Sequence, residues 1–379
     1  MQFAQLSMVK QRVRVGAPLP FNVRDSDQSL LLARGQVVAS RDQMEALFER
    51  GALVDIDELK AVHADVSGAM DVRAAPPERL PALWRRCMDG VAQALQGSPR
   101  EGYTAALDDA AAPVLALIER DPDLAIFQVL RQDDNSHLQY GVTHSVHAAI
   151  TVHMVAQRLG WDAPALQTVF KAALTMNISM LELQGQLAEQ KTLLTPEQQQ
   201  LIRSHPQRSV EMLQLAGVGD SDWLAAVAQH HEAPDGQGYP KGLTEVSDFA
   251  SLLRRADIYT AKLSGRARRD SMTADQAGRQ MFMKDPGHPM TAALAKEFGV
   301  YPPGCHVSLV SGELGIVIKR GPTVTTPIVA SLTNERGAAL AEPRRRDTSL
   351  REHAIVSVVA DKRVSVRVKP ERLMQLAFA

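Results

Sequence analysis

His230-His231-Glu232-Ala233-Pro234-Asp235-Gly236-Gln237-Gly238-Tyr239-Pro240 is the stretch that decides how this chain is read. Two adjacent histidines at an apparent helix end bring two imidazoles near one point from different angles. Neutral imidazole is the commonest side-chain ligand for borderline divalent metals. Asp235-Gly236 and Gly238 supply turn geometry with access to positive φ, so a tight loop follows the pair. The His-His dipeptide alone reads equally as a surface turn; the eleven-residue string is what carries specificity.

Around this string, residues 80–299 read as helix after helix. Leu159-Gly160 ends one helix and Asp162 or Pro164 begins the next. Thr195-Pro196-Glu197-Gln198 has the form of a capping box with Pro at the first helical position, followed by Leu201-Ile202. β-branched alternation is scarce, so this segment is expected to be all-α. Residues 1–72 have a different texture. Val13-Arg14-Val15-Gly16, a polar turn at Asp25-Ser26-Asp27-Gln28, Leu30-Leu31-Leu32, Gly35 and Val37-Val38 suggest short strands. Ser40 reads as an N-cap for a helix carrying Met44, Leu47 and Phe48. A linker runs through Arg73-Ala74-Ala75-Pro76-Pro77-Glu78. From Tyr301-Pro302-Pro303-Gly304 onward, alternating runs at Val307–Val310, Gly315–Ile318, Pro327–Val329, Ile355–Val359 and Val364–Val368 predict a small β domain over 300–379. The expected class is α+β and multidomain: a central helical domain between a small N-terminal α+β module and a small C-terminal β domain.

Composition narrows the function classes. With 379 residues, 45% hydrophobic and 22% charged, the chain is long enough for two or three domains and is ordinarily globular. A net charge of -1 and 4% aromatics argue against dedicated DNA or RNA binding. Cys87 and Cys305 have no metal or redox spacing. No apolar run reaches the ~18–20 residues of a membrane span. Met1-Gln2-Phe3-Ala4-Gln5 lacks the opening of a signal peptide, so a cytoplasmic location is expected.

The string at 230–240 resembles the signature of the HD-GYP family, metal-dependent hydrolases of the HD superfamily that degrade cyclic di-GMP. The resemblance covers roughly residues 130–300. Tyr140-Gly141-Val142-Thr143-His144-Ser145-Val146 is similar to the family's first metal histidine, Ser204-His205-Pro206 to its middle one, and Arg255-Ala256-Asp257-Ile258-Tyr259 to its last metal aspartate. The flanking modules also resemble ones found beside this domain. The resemblance implies His144, His205, His230, His231 and Asp257 as metal ligands, with the last three histidines at one metal position and His144 and Asp257 at the other. It implies Asp235, Gly236, Gly238, Tyr239, Pro240, Arg266 and Arg269 as ligand-binding, within a cationic run that also contains Arg254, Arg255, Lys262 and Arg268. That run also reads as a solvated helix face.

One family feature is missing, since no His-Asp dipeptide occurs in the chain. The family pattern Leu-x-His-Asp-Ile-Gly-Lys falls on Leu174–Met180, placing Met176 for histidine, Asn177 for aspartate and Met180 for lysine. Two divalent ions ~4 Å apart repel by roughly 16 kcal/mol at an effective dielectric of ~20, and a neutral asparagine cannot offset that as a bridging carboxylate does. Met176 is a soft ligand poorly suited to Fe, Mn or Zn beside imidazoles. Met180 offers no cation to a phosphate. Met176, Ile178 and Met180 also read as plain helix packing. At most one divalent ion (Fe, Mn or Zn) is expected, held by His205, His230 and His231. Tyr140 supports no third metal. His147 and His153 are assigned to packing or surface, and His63, His137, His288, His306 and His353 have no metal-site spacing. Arg344-Arg345-Arg346 is expected on a solvated loop.

Three readings stay open at this stage. The first is a cytoplasmic signalling protein of impaired phosphodiesterase activity that senses a cyclic dinucleotide or docks a signalling partner at the Gly-Tyr-Pro loop. The second is an active phosphodiesterase with a single three-histidine metal site. The third is a structural interaction module.

Overall fold

The computed structural model describes residues 3–7, 13, 19, 21–33, 36–56, 58, 72, 74–97, 102–131, 140–267 and 269–378. Arg14-Val15-Gly16, Gly35, His63, Arg73, His137 and Arg268 lie outside them. The chain forms two compact units, Met1–Asp71 and Val72–Ala379.

In the first unit, β1 (Phe3–Gln5), β2 (Val23–Arg24), β3 (Leu30–Leu32) and β4 (Leu53–Asp55) form an antiparallel sheet of order β1-β4-β2-β3. Helix α1 (Arg41–Glu49) is started by Ser40, whose hydroxyl accepts from the Gln43 amide at 3.1 Å. Phe21, Val23, Val38, Leu47 and Val54 close a small core.

The helices of the second unit are α2 (Leu80–Gln96), α3 (Tyr103–Arg120), α4 (Pro122–Leu130), α5 (Tyr140–Arg158), α6 (Ala163–Thr175), α7 (Leu181–Glu189), α8 (Pro196–Leu215), α9 (Ser221–Gln229), α10 (Asp248–Leu263), α11 (Ala274–Lys284) and α12 (Pro289–Phe298). Helix α5 is buried on nearly every face from Gly141 to Ala156, so it is the axis of the helical region rather than an amphipathic cover. A Cβ on Gly141 would lie 2.5 Å from the Leu181 carbonyl oxygen, so glycine is what lets the start of α5 touch the start of α7. The Thr195 capping box forms in full at the start of α8.

Strands β5 (His306–Leu309), β6 (Leu314–Lys319), β7 (Ile328–Thr333), β8 (Ala339–Asp347) and β9 (Ile355–Val359) make an antiparallel sheet of order β8-β7-β6-β5-β9. The architecture is thus a mostly helical central region with a sheet at each end of the sequence, as the sequence texture indicates. The helices and the C-terminal sheet share polar joints. The Arg320 amide donates to Asp123 at 2.9 Å, and its guanidinium donates to Glu297 at 3.1 Å. Arg131 and His306 both engage Asp361, at 2.5 and 2.8 Å.

Three local expectations are corrected. Val364–Val368 alternates like a strand, yet it belongs to no sheet among the described residues: periodicity selects a pleated conformation, but only a neighbour supplies the ladder. Pro370–Phe378 is a helix, α13, packed on β6, β8 and α2 through a face that includes Leu373 and Met374. Arg344-Arg345-Arg346 lies in β8 rather than on a loop, and Arg346 pairs with the buried Glu313 at 2.7 Å.

Candidate metal centre

His205 sits inside α8, directly before Pro206. Proline has no amide hydrogen, so it cannot bond the carbonyl four residues back, which is that of Ile202. The His205 ring takes that acceptor instead, its Nδ1–H donating to the Ile202 oxygen at 2.6 Å. His230 caps the end of α9, where the last carbonyls have no helical partner. Its Nδ1–H donates to the Val227 oxygen at 2.7 Å. A carbonyl accepts only, so both Nδ1 atoms carry the proton and both Nε2 atoms present lone pairs. Those two Nε2 atoms face each other at 3.1 Å. Two lone pairs so aimed are relieved by a shared cation.

His231 completes the group. Its ring centroid lies 4.2 Å from that of His230 and 5.0 Å from that of His205, and one nitrogen from each of the three rings lies within 4.8 Å of the others. Burial, followed by the neighbouring His230, pushes His205 down to about 3. Burial also lowers His230 and His231. All three imidazoles are therefore neutral near pH 7, the form a metal requires. The donor set, with the tautomers of His205 and His230 fixed, suits one divalent ion such as Zn, Fe or Mn, with a coordination position left open.

The loop after the pair is organised by a residue whose role is invisible in the motif. Glu232 is buried, and its two carboxylate oxygens accept from the backbone amides of Lys241 at 2.7 Å and Leu243 at 2.9 Å. Gly236 has φ +70, and Asp235 accepts from the Gln237 amide at 3.0 Å. A Cβ on Gly238 would lie 2.5 Å from both the Ala233 nitrogen and the Glu232 Cα, so the chain can fold back on itself only without one. The Tyr239 amide then donates to the His231 carbonyl at 3.2 Å, and its ring stacks on the His231 ring at 4.4 Å and 21°. The Tyr239–Pro240 bond is cis. Asp235, Gly236, Gly238 and Pro240 shape the loop, and Tyr239 is the member that touches the histidines.

His144 and Asp257 pair with each other, His144 Nε2 lying 2.7 Å from Asp257 Oδ1. Burial pushes the Asp257 carboxyl up, but the His144 contact and the nearby His231 and His230 outweigh it, and the net direction is down. The negative charge of the same carboxylate favours the protonated form of all three rings of the cluster, against the larger effect of burial. Met176 and Asn177 follow the end of α6, and both are buried. Thr175 accepts from Trp223 of α9 at 2.8 Å, and the Ser179 hydroxyl donates to the His205 carbonyl at 3.0 Å. Asn177 is thus held between the two helices that carry His205 and His230, and its Oδ1 is buried without a hydrogen-bond partner among the described residues. Met180 is half-buried.

The ligand-binding arginines suggested by the resemblance each donate a side-chain hydrogen bond within the chain. Arg266 donates to the Tyr140 hydroxyl at 3.0 Å, and Arg269 donates to the Ala261 carbonyl. Tyr140 stacks on His144 at 6.1 Å. His147 is buried and pushed down to about 3, mainly by burial. His153 packs edge-on against Phe170 at 5.9 Å. Pro206, Glu232 and Arg203 were not read as site residues in the sequence, and Arg254 was read only as one cation of the run at 254–269. Pro206 left a local signal, the His-Pro dipeptide inside a helix; Glu232 and Arg203 act across the fold.

Residues 129–284 match a model of the HD domain. Over 232 residues the chain is 29% identical to a cyclic di-GMP phosphodiesterase of Pseudomonas aeruginosa, covering 60% of this chain and 55% of that protein. Over 137 residues it is 28% identical to the cyclic di-GMP phosphodiesterase PdeB of Borreliella burgdorferi, covering 36% of each. The matches thus span little more than half of the first relative's length and about a third of the second's. A solved HDG"Y"P protein from Bdellovibrio bacteriovorus superposes with a TM-score of 0.52 at 17% identity, over 78% of this chain and 98% of that one, which shows a shared fold. Residues 129–284 are thus similar to HD domains, and the chain has distant relatives among cyclic di-GMP phosphodiesterases.

Proposed function

We propose that this chain is a cytoplasmic signalling protein that binds a cyclic dinucleotide, cyclic di-GMP or a close analogue, in an HD-GYP-type cleft holding one divalent ion, with phosphodiester hydrolysis lost or strongly reduced. The carrying observation is an asymmetry. On one side of the cleft, three neutral imidazoles converge, two of them with locked tautomers. At the turn after α6, packed against their helices, stand Met176 and Asn177, the latter with an uncharged oxygen that has no partner among the described residues. When bound, a divalent ion supplies Lewis-acid stabilisation of phosphate charge.

The chain's own residues do the rest. His205, His230 and His231 offer neutral nitrogens, and Tyr239 walls the site beside His231. Asp257 stays ionised and committed to His144. Asn177 adds no charge to hold a second cation, and Met180 offers none to a phosphate. A cleft that binds but turns over slowly suits ligand sensing, with the loop at 238–240 as the surface read by a signalling partner. On this reading residues 1–72 and 300–379 act as accessory modules around the helical domain of 80–299.

The test is metal content per chain and cyclic di-GMP hydrolysis in one preparation. About one ion per chain is expected, with turnover at least ~100-fold below that of a relative with the intact motif. That factor corresponds to ~3 kcal/mol of lost transition-state stabilisation. Met176→His, Asn177→Asp and Met180→Lys together should raise both quantities. Robust turnover by the natural chain, abolished by His230→Ala, would instead establish a single-metal enzyme.

A further inference from the structure

We propose that Arg203 and Arg254 form a two-guanidinium clamp that takes one phosphate of the dinucleotide at the mouth of the three-histidine cluster. The proposal rests on the cyclic-dinucleotide reading above and names the residues that would recognise the ligand's charge.

Arg203 lies on α8, two residues before His205, with its guanidinium carbon 5.5 Å from the centre of the Tyr239 ring. Tyr239 in turn stacks on His231 at 4.4 Å. Arg203, Tyr239 and His231 therefore form a column that runs from an exposed cation to a half-buried imidazole. Arg254 approaches from α10. It stands three residues before Asp257, which places the two side chains on the same helical face. Among the described residues neither arginine forms an ion pair. That sets them apart from Arg255, which is tied to Asp285, Ser251 and Thr291. The Arg254 charge also reaches His231, where it adds to burial, the main cause, in keeping that ring neutral.

Two cations without ion-pair partners among the described residues, beside neutral imidazoles, make an electropositive rim. A guanidinium donates paired N–H groups that match phosphate oxygens, and such charge-assisted bonds are about twice as strong as neutral ones. Arg203 needs little rearrangement to serve, because stacking on Tyr239 already restricts its side chain. The clamp also places positive charge near the cleft where Met180 has none.

The full chain, metal-loaded, is titrated calorimetrically with cyclic di-GMP and separately with inorganic phosphate, using the natural protein, Arg203→Gln, Arg254→Gln and the double variant. Metal content and thermal midpoint are measured alongside. Each single substitution is expected to raise Kd about 10-fold with metal content unchanged, and the double variant more, with a shallower salt dependence. Lysine at either position should retain part of the affinity. If the natural chain binds cyclic di-GMP and the variants bind it equally well, the clamp is overturned and the dinucleotide reading stands. If phosphate binds in an arginine-dependent way but cyclic di-GMP does not bind, the dinucleotide reading falls, and the clamp as stated falls with it.

Discussion

Pro206→Ala separates the stability of α8 from the performance of the metal centre. A proline within a helix forgoes one backbone hydrogen bond and strains the preceding turn, at a cost of about 3 kcal/mol. Alanine restores an amide hydrogen pointed at the Ile202 carbonyl, the acceptor that now receives His205 Nδ1–H at 2.6 Å. Part of the helix cost is recovered, reduced by about 1 kcal/mol for the small cavity left at this buried position. The His205 ring then shares its anchor, and its preference for presenting Nε2 to His230 weakens. Loss of such an orienting partner typically lowers metal affinity 10–100-fold, and a shared rather than lost acceptor belongs at the lower end. The expected result is a thermal midpoint of the metal-free protein equal to or above that of the natural chain, together with about 10-fold weaker zinc or cobalt binding in a competition titration. Unchanged affinity in a variant of unchanged or higher stability would refute the idea that the His-Pro pair sets the tautomer.

Two further outcomes follow from the buried polar groups. Glu232→Ala strips the carboxylate from two backbone amides, and each unsatisfied donor costs about 1–3 kcal/mol. It should lower the melting temperature and loosen metal binding by displacing His231, measured by melting with and without zinc; equal values for variant and natural chain would remove Glu232 from its organising role. The metal-free protein should also lose stability in acid. His147 and His205 are held at about 3 when folded and return to about 6.5 when unfolded, so only the unfolded chain gains their protons as pH falls between those values. Stability is full above about 6.5 and declines toward 3, by about 1.4 kcal/mol per pH unit for each histidine. Denaturant titrations at pH 7, 6 and 5 should show that slope, and His147→Leu should flatten it by one histidine's share.

Much of the fold was legible because it is written locally. Ser40 and Thr195 act as caps through atoms three residues away, and texture alone separates the helical region from the two sheets. The eleven-residue string was legible for a similar reason: its glycines are required by contacts within the loop itself, as Gly238 against Glu232 shows. What escaped was non-local. Val364–Val368 has the right alternation, but no strand lies beside it among the described residues. Glu232 is read only once the amides nine and eleven residues later are seen to return to it. Arg203 and Arg254 are 51 positions apart on different helices, so no spacing rule joins them.

The single-metal reading gains physical coherence from where each histidine is anchored. His205 is oriented by a carbonyl of its own helix, and His230 by a carbonyl of its own helix end. Both bonds are made within the histidine's own helix, although Ser179 also holds the His205 carbonyl. A change at Asn177 can therefore alter the charge of the cleft without disturbing how the three imidazoles converge. His144 and Asp257 depend on each other instead, and an aspartate that loses a cation can keep its charge by pairing with an adjacent histidine. A cleft built this way can shed the charges needed to hold a second ion while the three-histidine cluster remains intact. Under the proposed function, that combination suits recognition of a phosphodiester without its cleavage.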